Sequence, residues 1–83
     1  MNFKIVITGR AEKDLKSVPK LAATKIHSAI LAMKDNMKGD IKKLVNHVPD
    51  YRLKVGDWRV LFEVEHDTIV IARVLNRKDA YRN

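Results

Sequence analysis

The chain has 83 residues, no cysteine, and 17 Lys and Arg against 10 Asp and Glu, for a net charge of +7. That length suits one small domain over residues 1–83, with one helical layer on one sheet, and the absence of cysteine excludes a disulfide framework or a thiolate metal site. No apolar run approaches the roughly 18 residues of a membrane span, and the basic excess favours a polyanionic partner, either nucleic acid or an acidic protein.

In chain order, Phe3, Ile5 and Ile7 alternate with Lys4, Val6 and Thr8, which predicts a strand over residues 2–8. This N-terminus lacks the pattern of a signal peptide, so the expected location is the cytoplasm. Gly9 punctuates the strand, and Ala11, Leu15 and Val18 follow helical spacing, which predicts a short helix over 10–17. Pro19 suits the first turn of a second helix, where its missing N–H costs little. Ala22, Ile26, Ala29, Ile30, Met33 and Met37 form one apolar stripe, which predicts a helix of about 18 residues, roughly 27 Å long. Gly39 is the expected stop.

Residues 41–45 read as a short strand, and Asn46 to Asp50 as a loop. Residues 51–64, YRLKVGDWRVLFEV, then read as two strands around Gly56-Asp57, with Gly56 suited to the first position of a type II′ turn. A two-residue loop pairs Val55 with Trp58, Lys54 with Arg59, Leu53 with Val60, Arg52 with Leu61, and Tyr51 with Phe62. Directly opposed residues share a face. One face is therefore apolar, with Trp58 and Phe62 as core residues, while Arg52, Lys54 and Arg59 gather on the other. A second two-residue turn at His66-Asp67 leads into a central strand over 69–75 and would place Arg59 opposite Val74. The tail begins at the end of the sheet that carries Gly56-Asp57. The fold class is α+β: an N-terminal strand and a two-helix hairpin packed on one face of a small, mainly antiparallel sheet.

The sequence holds no phosphate-binding glycine loop, no Ser-His-Asp pattern and no cofactor fingerprint. His27, His47 and His66 lack metal-ligand spacing, so no metal or cofactor is expected. All three are read as having no functional role, His47 the least firmly because it precedes the hairpin. Glu63 and Glu65 read as solvated strand residues or partners of nearby cations.

YRLKVGDWRVLFEV, followed by IVIARVLNRKDAYR, resembles the RelE/ParE superfamily of bacterial type II toxins over nearly the whole chain. The resemblance implies a toxin held inactive by a cognate antitoxin, expected to be acidic. It also implies one of two activities: cleavage of mRNA in the ribosomal A site, as in the RelE branch, or poisoning of DNA gyrase without chemistry, as in the ParE branch. A relative that has lost activity is the third possibility. The RelE branch is favoured. Matched residue by residue, it implies Lys54, Arg59, Arg77 and Tyr81 as catalytic and Arg52, Lys78 and Arg82 as RNA-binding. Arginine is effectively never deprotonated, so Arg52 is a poor base where some relatives carry lysine, and Lys54 is the remaining candidate. Ala80 stands where another sub-branch has a histidine before the final tyrosine.

Overall fold

The computed structural model describes residues 1–80. Tyr81 and Arg82, both singled out above, lie outside the described residues. Seven elements follow one another: β1 (Lys4–Ile7), α1 (Gly9–Lys16), α2 (Lys20–Ala32), β2 (Ile41–Lys43), β3 (Tyr51–Val55), β4 (Trp58–Glu65) and β5 (Thr68–Asn76). The strands form one sheet in the order β1-β5-β4-β3-β2. β1 runs parallel to β5, and every other pairing is antiparallel. Both helices contribute to a core on one face of the sheet, as expected. Among the described residues no helix is long and apolar enough to cross a membrane.

α1 starts one residue earlier than the spacing predicts because Thr8 caps it. Its Oγ1 accepts from the Ala11 N–H at 3.2 Å and also donates to the Ile71 carbonyl at 2.8 Å. One side chain thus fixes both the helix start and its position against β5. Ala11, Leu15 and Val18 are buried against Ile26, Ile30 and Met33 of the α2 segment, and against Leu53, Val60, Phe62, Ile69, Ile71 and Val74 of the sheet. Removing this apolar area from water is the main stabilising term of so small a fold.

The second helix differs from expectation at both ends. Pro19 is its N-cap, with extended backbone (φ −54°, ψ 144°), rather than part of its first turn. The helix has 13 residues and ends at Ala32, not at Gly39. Beyond it, the N-terminal segment captures the chain: Phe3 N–H donates to the Lys34 carbonyl at 2.8 Å, and Asn36 N–H to the Met1 carbonyl at 2.9 Å. Asn36 and Met37 then take left-handed conformations (φ 56° and 55°), which ends helical propagation. The stripe is still honoured, because Met33 is buried and Met37 packs on the core. Gly39 has a different duty. Its φ is +141°, and a Cβ there would lie 2.7 Å from Leu53 Cδ1, so the chain passes too close to the sheet for any side chain.

The β3–β4 register is the one predicted by counting, from Val55↔Trp58 to Tyr51↔Phe62. Of the two loop residues only Gly56 has positive φ (58°), as a type II′ turn requires. Tyr51 stacks on Phe62 with ring centroids 5.4 Å apart. The β4–β5 register departs from expectation. It begins regularly, with Glu65↔Thr68 through Phe62↔Ile71, then shifts so that Leu61 faces Arg73 and Arg59 faces Leu75, not Val74. Ala72 is the extra residue of a β-bulge. The bulge keeps Val74 in the core, where an unbroken alternation would have placed Arg73.

Candidate functional site

The face of the sheet away from the helices carries two rows of residues. Cross-strand pairing aligns Lys42, Arg52, Leu61 and Arg73 in one row. Lys54, Arg59 and Leu75 form the next, nearer the Gly56-Asp57 turn. Arg52, Lys54 and Arg59 therefore stand together as counting predicts, with Lys54 directly across from Arg59. Lys42 and Arg73 join them without having been singled out beforehand.

This face is not a bare sheet. Leu61 is only 3% exposed and Ala80 only 2%. The loop after β2 covers one side, and the turn after β5 covers the other. Between them lies a cleft of about 300 Å³, walled by Asn46, His47, Val48, Pro49 and Ala80, with Leu61, Arg73 and Leu75 as its other lining. The apolar lining is bracketed by cations: Arg52 and Arg73 flank Leu61, and Arg59 lies beside Leu75. A cleft with leucines in a mixed lining and guanidiniums beside it suits a nucleotide, whose base is apolar on its faces and whose phosphate is anionic.

The guanidiniums are held in place. Arg52 Nη1 donates to the Asp40 carbonyl at 2.9 Å and to Asp40 Oδ1 at 3.3 Å. Arg59 Nη1 donates to the carbonyls of Gly56 at 2.8 Å and Trp58 at 3.0 Å. Each tether runs through one nitrogen of a group with five N–H donors, so it orients the fork and leaves its phosphate-matching edge a defined direction. Lys54 is exposed.

Arg73 is the most firmly anchored cation. Its Nε donates to Asp14 Oδ2 at 2.8 Å and its Nη2 to Asp14 Oδ1 at 3.3 Å, and the Val74 N–H also donates to Oδ2 at 2.9 Å. Asp14 thereby takes over the edge of β5 where β1 has ended. Burial alone would push the Asp14 carboxyl up, but the hydrogen bonds from Arg73 and Val74 and the charges of Arg73 and Arg10 outweigh it and hold the carboxyl below its ordinary value. The same contact raises the Arg73 guanidinium, against the smaller opposing effect of burial. The sequence signal for Arg73 was a lone cation interrupting the apolar run IVIARVL.

The remaining predicted residues are placed as follows. Arg77 sits at the Gly56-Asp57 end of the sheet. Its N–H donates to the Asp57 carbonyl at 2.7 Å, and its exposed guanidinium lies 3.8 Å from Asp57 Oδ1. Lys78 is exposed on the same turn. The burial of Ala80 against the cleft means that this turn folds back over the cationic face. Glu63 forms no ion pair among the described residues; its Oε1 accepts the Asp50 N–H at 2.7 Å and so fixes the loop to the sheet. Pro49 and His47 lie in that loop, and the His47 ring Nδ1 is 2.9 Å from the Pro49 carbonyl.

The profile described as ParE toxin of type II toxin-antitoxin system, parDE, matches residues 5–81. The chain belongs to the RelE/ParE family of toxins. Toxin RelE3 of Methanocaldococcus jannaschii is 36% identical over 84 residues, covering 95% of this chain and 96% of the relative. The RelB–RelE antitoxin–toxin complex from Methanococcus jannaschii contains a chain 36% identical, with TM-score 0.77, covering 92% of this chain and 94% of that one. The archaeal RelE–RelB complex from Pyrococcus horikoshii OT3 matches at 26% identity and TM-score 0.75, covering 96% of this chain and all of that one. These relatives support the RelE-like branch and extend the family beyond the bacterial members that the resemblance first suggested.

Proposed function

We propose that this toxin is the partner of a cognate antitoxin, as in RelB–RelE pairs, and that when released it cleaves mRNA in the ribosomal A site. The observation that carries the reading is the cleft lined by Arg73, Leu61 and Leu75, with Arg52 and Arg59 at the neighbouring strand positions. That arrangement fits an unpaired nucleotide, and the net charge of +7 suits an approach to the ribosome's RNA surface.

In the proposed reaction the 2′-OH attacks its own 3′ phosphate, the bond to the 5′ oxygen breaks, and a cyclic phosphate remains. Negative charge gathers on the phosphoryl oxygens in the transition state. Arg59 is assigned to those oxygens, where a preoriented cation contributes several kcal/mol. Arg52 orients the phosphate from the neighbouring row, and Lys54 adds positive charge beside it. Arg77 is assigned to the leaving 5′ oxygen. Tyr81 is assigned to stacking on the splayed base, with Lys78 and Arg82 on the RNA backbone. The acidic antitoxin would neutralise this basic surface.

The test is to add the purified toxin to a translating extract and map mRNA ends. Ribosome-dependent cuts are expected, and Arg59→Ala or Arg77→Ala should abolish them while leaving the melting temperature nearly unchanged. Intact mRNA during continued translation overturns the reading. The matched ParE profile favours one alternative, a gyrase poison. It would leave mRNA whole and block supercoiling or produce gyrase-linked DNA breaks.

A further inference from the structure

We propose that Asp14 is a positioning residue for the cleft: it aims Arg73 at the phosphate next to the scissile one, and so sets the register of the RNA strand. The proposal rests on the reading of the chain as an mRNA endonuclease. It gives a role to Arg73, which lines the cleft beside Leu61 and Leu75 and to which that reading assigns no atom of the substrate.

Two features separate Arg73 from the cations assigned to the scissile phosphate. The first is direction. Arg52 and Arg73 stand on either side of Leu61 in one row, two strand spacings or about 10 Å apart. Their tethers draw them in opposite directions. Arg52 is held by Asp40, at the β2 side of the sheet, and Arg73 by Asp14, at the β1 side. A single phosphate does not reach two forks drawn apart in this way, whereas successive phosphates of an extended strand do. The second feature is the kind of tether. Arg52 and Arg59 are each held through one nitrogen. Asp14 engages Arg73 side-on, through Nε at 2.8 Å and Nη2 at 3.3 Å. Nη1 makes no hydrogen bond among the described residues. With the outer hydrogen of Nη2 it forms a second fork that matches phosphate. The Asp14 side chain is 13% exposed and that of Arg73 32%, so the pair is better shielded from salt than a surface pair while Arg73 still reaches the cleft.

Asp14 has a second duty, because its Oδ2 also accepts the Val74 N–H at 2.9 Å. Asparagine separates the two. Its amide oxygen can still accept from Val74, but its NH2 group offers Arg73 no acceptor, so the guanidinium loses its second hydrogen bond and its counter-charge. Asp14→Asn also makes the chain more basic. If Asp14 merely tempered the charge of this face, the variant would hold RNA more tightly. Positioning predicts the opposite sign.

The experiment follows single-turnover cleavage on programmed ribosomes against toxin concentration. The mRNA carries either ordinary phosphates or a neutral methylphosphonate at one of the two phosphates flanking the cut, each side in turn. With wild type, one of these methylphosphonates is expected to raise the half-saturating concentration about tenfold, the worth of a charge-assisted hydrogen bond, and to leave the maximal rate little changed. On ordinary mRNA, Arg73→Ala is expected to raise that concentration by a similar factor and Asp14→Asn by a smaller one. Both variants should respond less than wild type to the methylphosphonate. That response is a ratio within one variant, which a partly unfolded fraction does not alter. A wild-type toxin indifferent to both flanking methylphosphonates overturns the proposal whatever the variants do. So does an Asp14→Asn variant whose half-saturating concentration is at or below that of wild type, which would leave Asp14 as a strand-edge residue alone. In either case the endonuclease reading stands. A wild-type protein that cuts no mRNA overturns both.

Discussion

The two hairpins that share β4 are built alike and behave differently. Both turn on two residues, Gly56-Asp57 and His66-Asp67, and both are antiparallel. In β3–β4 the register runs without a break and can be counted outward from the turn. In β4–β5 the same count is wrong by one residue beyond Ile71. The difference lies in the strands, not the turns. β3 and β4 alternate cleanly, so a slip of one would bury Arg52 and Arg59. β5 is apolar on both faces and tolerates either frame over much of its length. What selects the frame is a residue far away in sequence: Asp14 on α1 accepts from both Arg73 and the Val74 N–H. A bulge at such a point turns a side chain that local pairing would bury toward the open face of the sheet.

The hardest blow to this arrangement should fall where the two hairpins meet. Phe62 is fully buried, stacks on Tyr51, and is the last regular pair before the bulge. Phe62→Ala should cost about 3–5 kcal/mol, read as a lower denaturant midpoint, and should loosen both hairpins together. A smaller but more selective effect is expected from Asp14→Ala. It leaves Arg73 unpaired and the Val74 N–H without its acceptor, costing about 2–3 kcal/mol, and amide exchange should quicken at Val74 in β5 far more than in β3.

The same contact predicts a pH dependence. Because the Asp14 carboxyl is held below its ordinary value in the folded chain, its contribution is present above the unfolded value of about 4. It fades as the pH falls through the lower folded value. Wild type should therefore lose stability on acidification through that window, measured as melting temperature against pH. Asp14→Asn, which does not titrate, should show a shallower acid limb.

The smallest expected effect lies in the regular hairpin, and its two readouts have opposite signs. Lys54 faces Arg59 across the strands, and like charges directly opposed are destabilising. Lys54→Glu replaces repulsion with attraction and should stabilise the fold by about 0.2–1 kcal/mol, while weakening any activity that depends on an anion at this face. A variant both more stable and equally toxic would remove Lys54 from the site.

Sequence by itself determined the α+β class, both turns, the full β3–β4 register and the gathering of Arg52, Lys54 and Arg59, because each rests on local alternation and turn chemistry. It also pointed to the core stripe of α2, down to Met33 and Met37. Tertiary structure decided three things. It ended α2 at Ala32, because the N-terminal segment pairs with residues 34–36. It shifted β5 by one, because Asp14 reaches its edge. It also turned an open sheet face into a cleft, because the 44–50 loop and the turn to Ala80 cover Leu61, bringing His47 and Arg73 to one place. Each of these depends on contacts between segments distant in the chain, and spacing within a single segment carries no record of them.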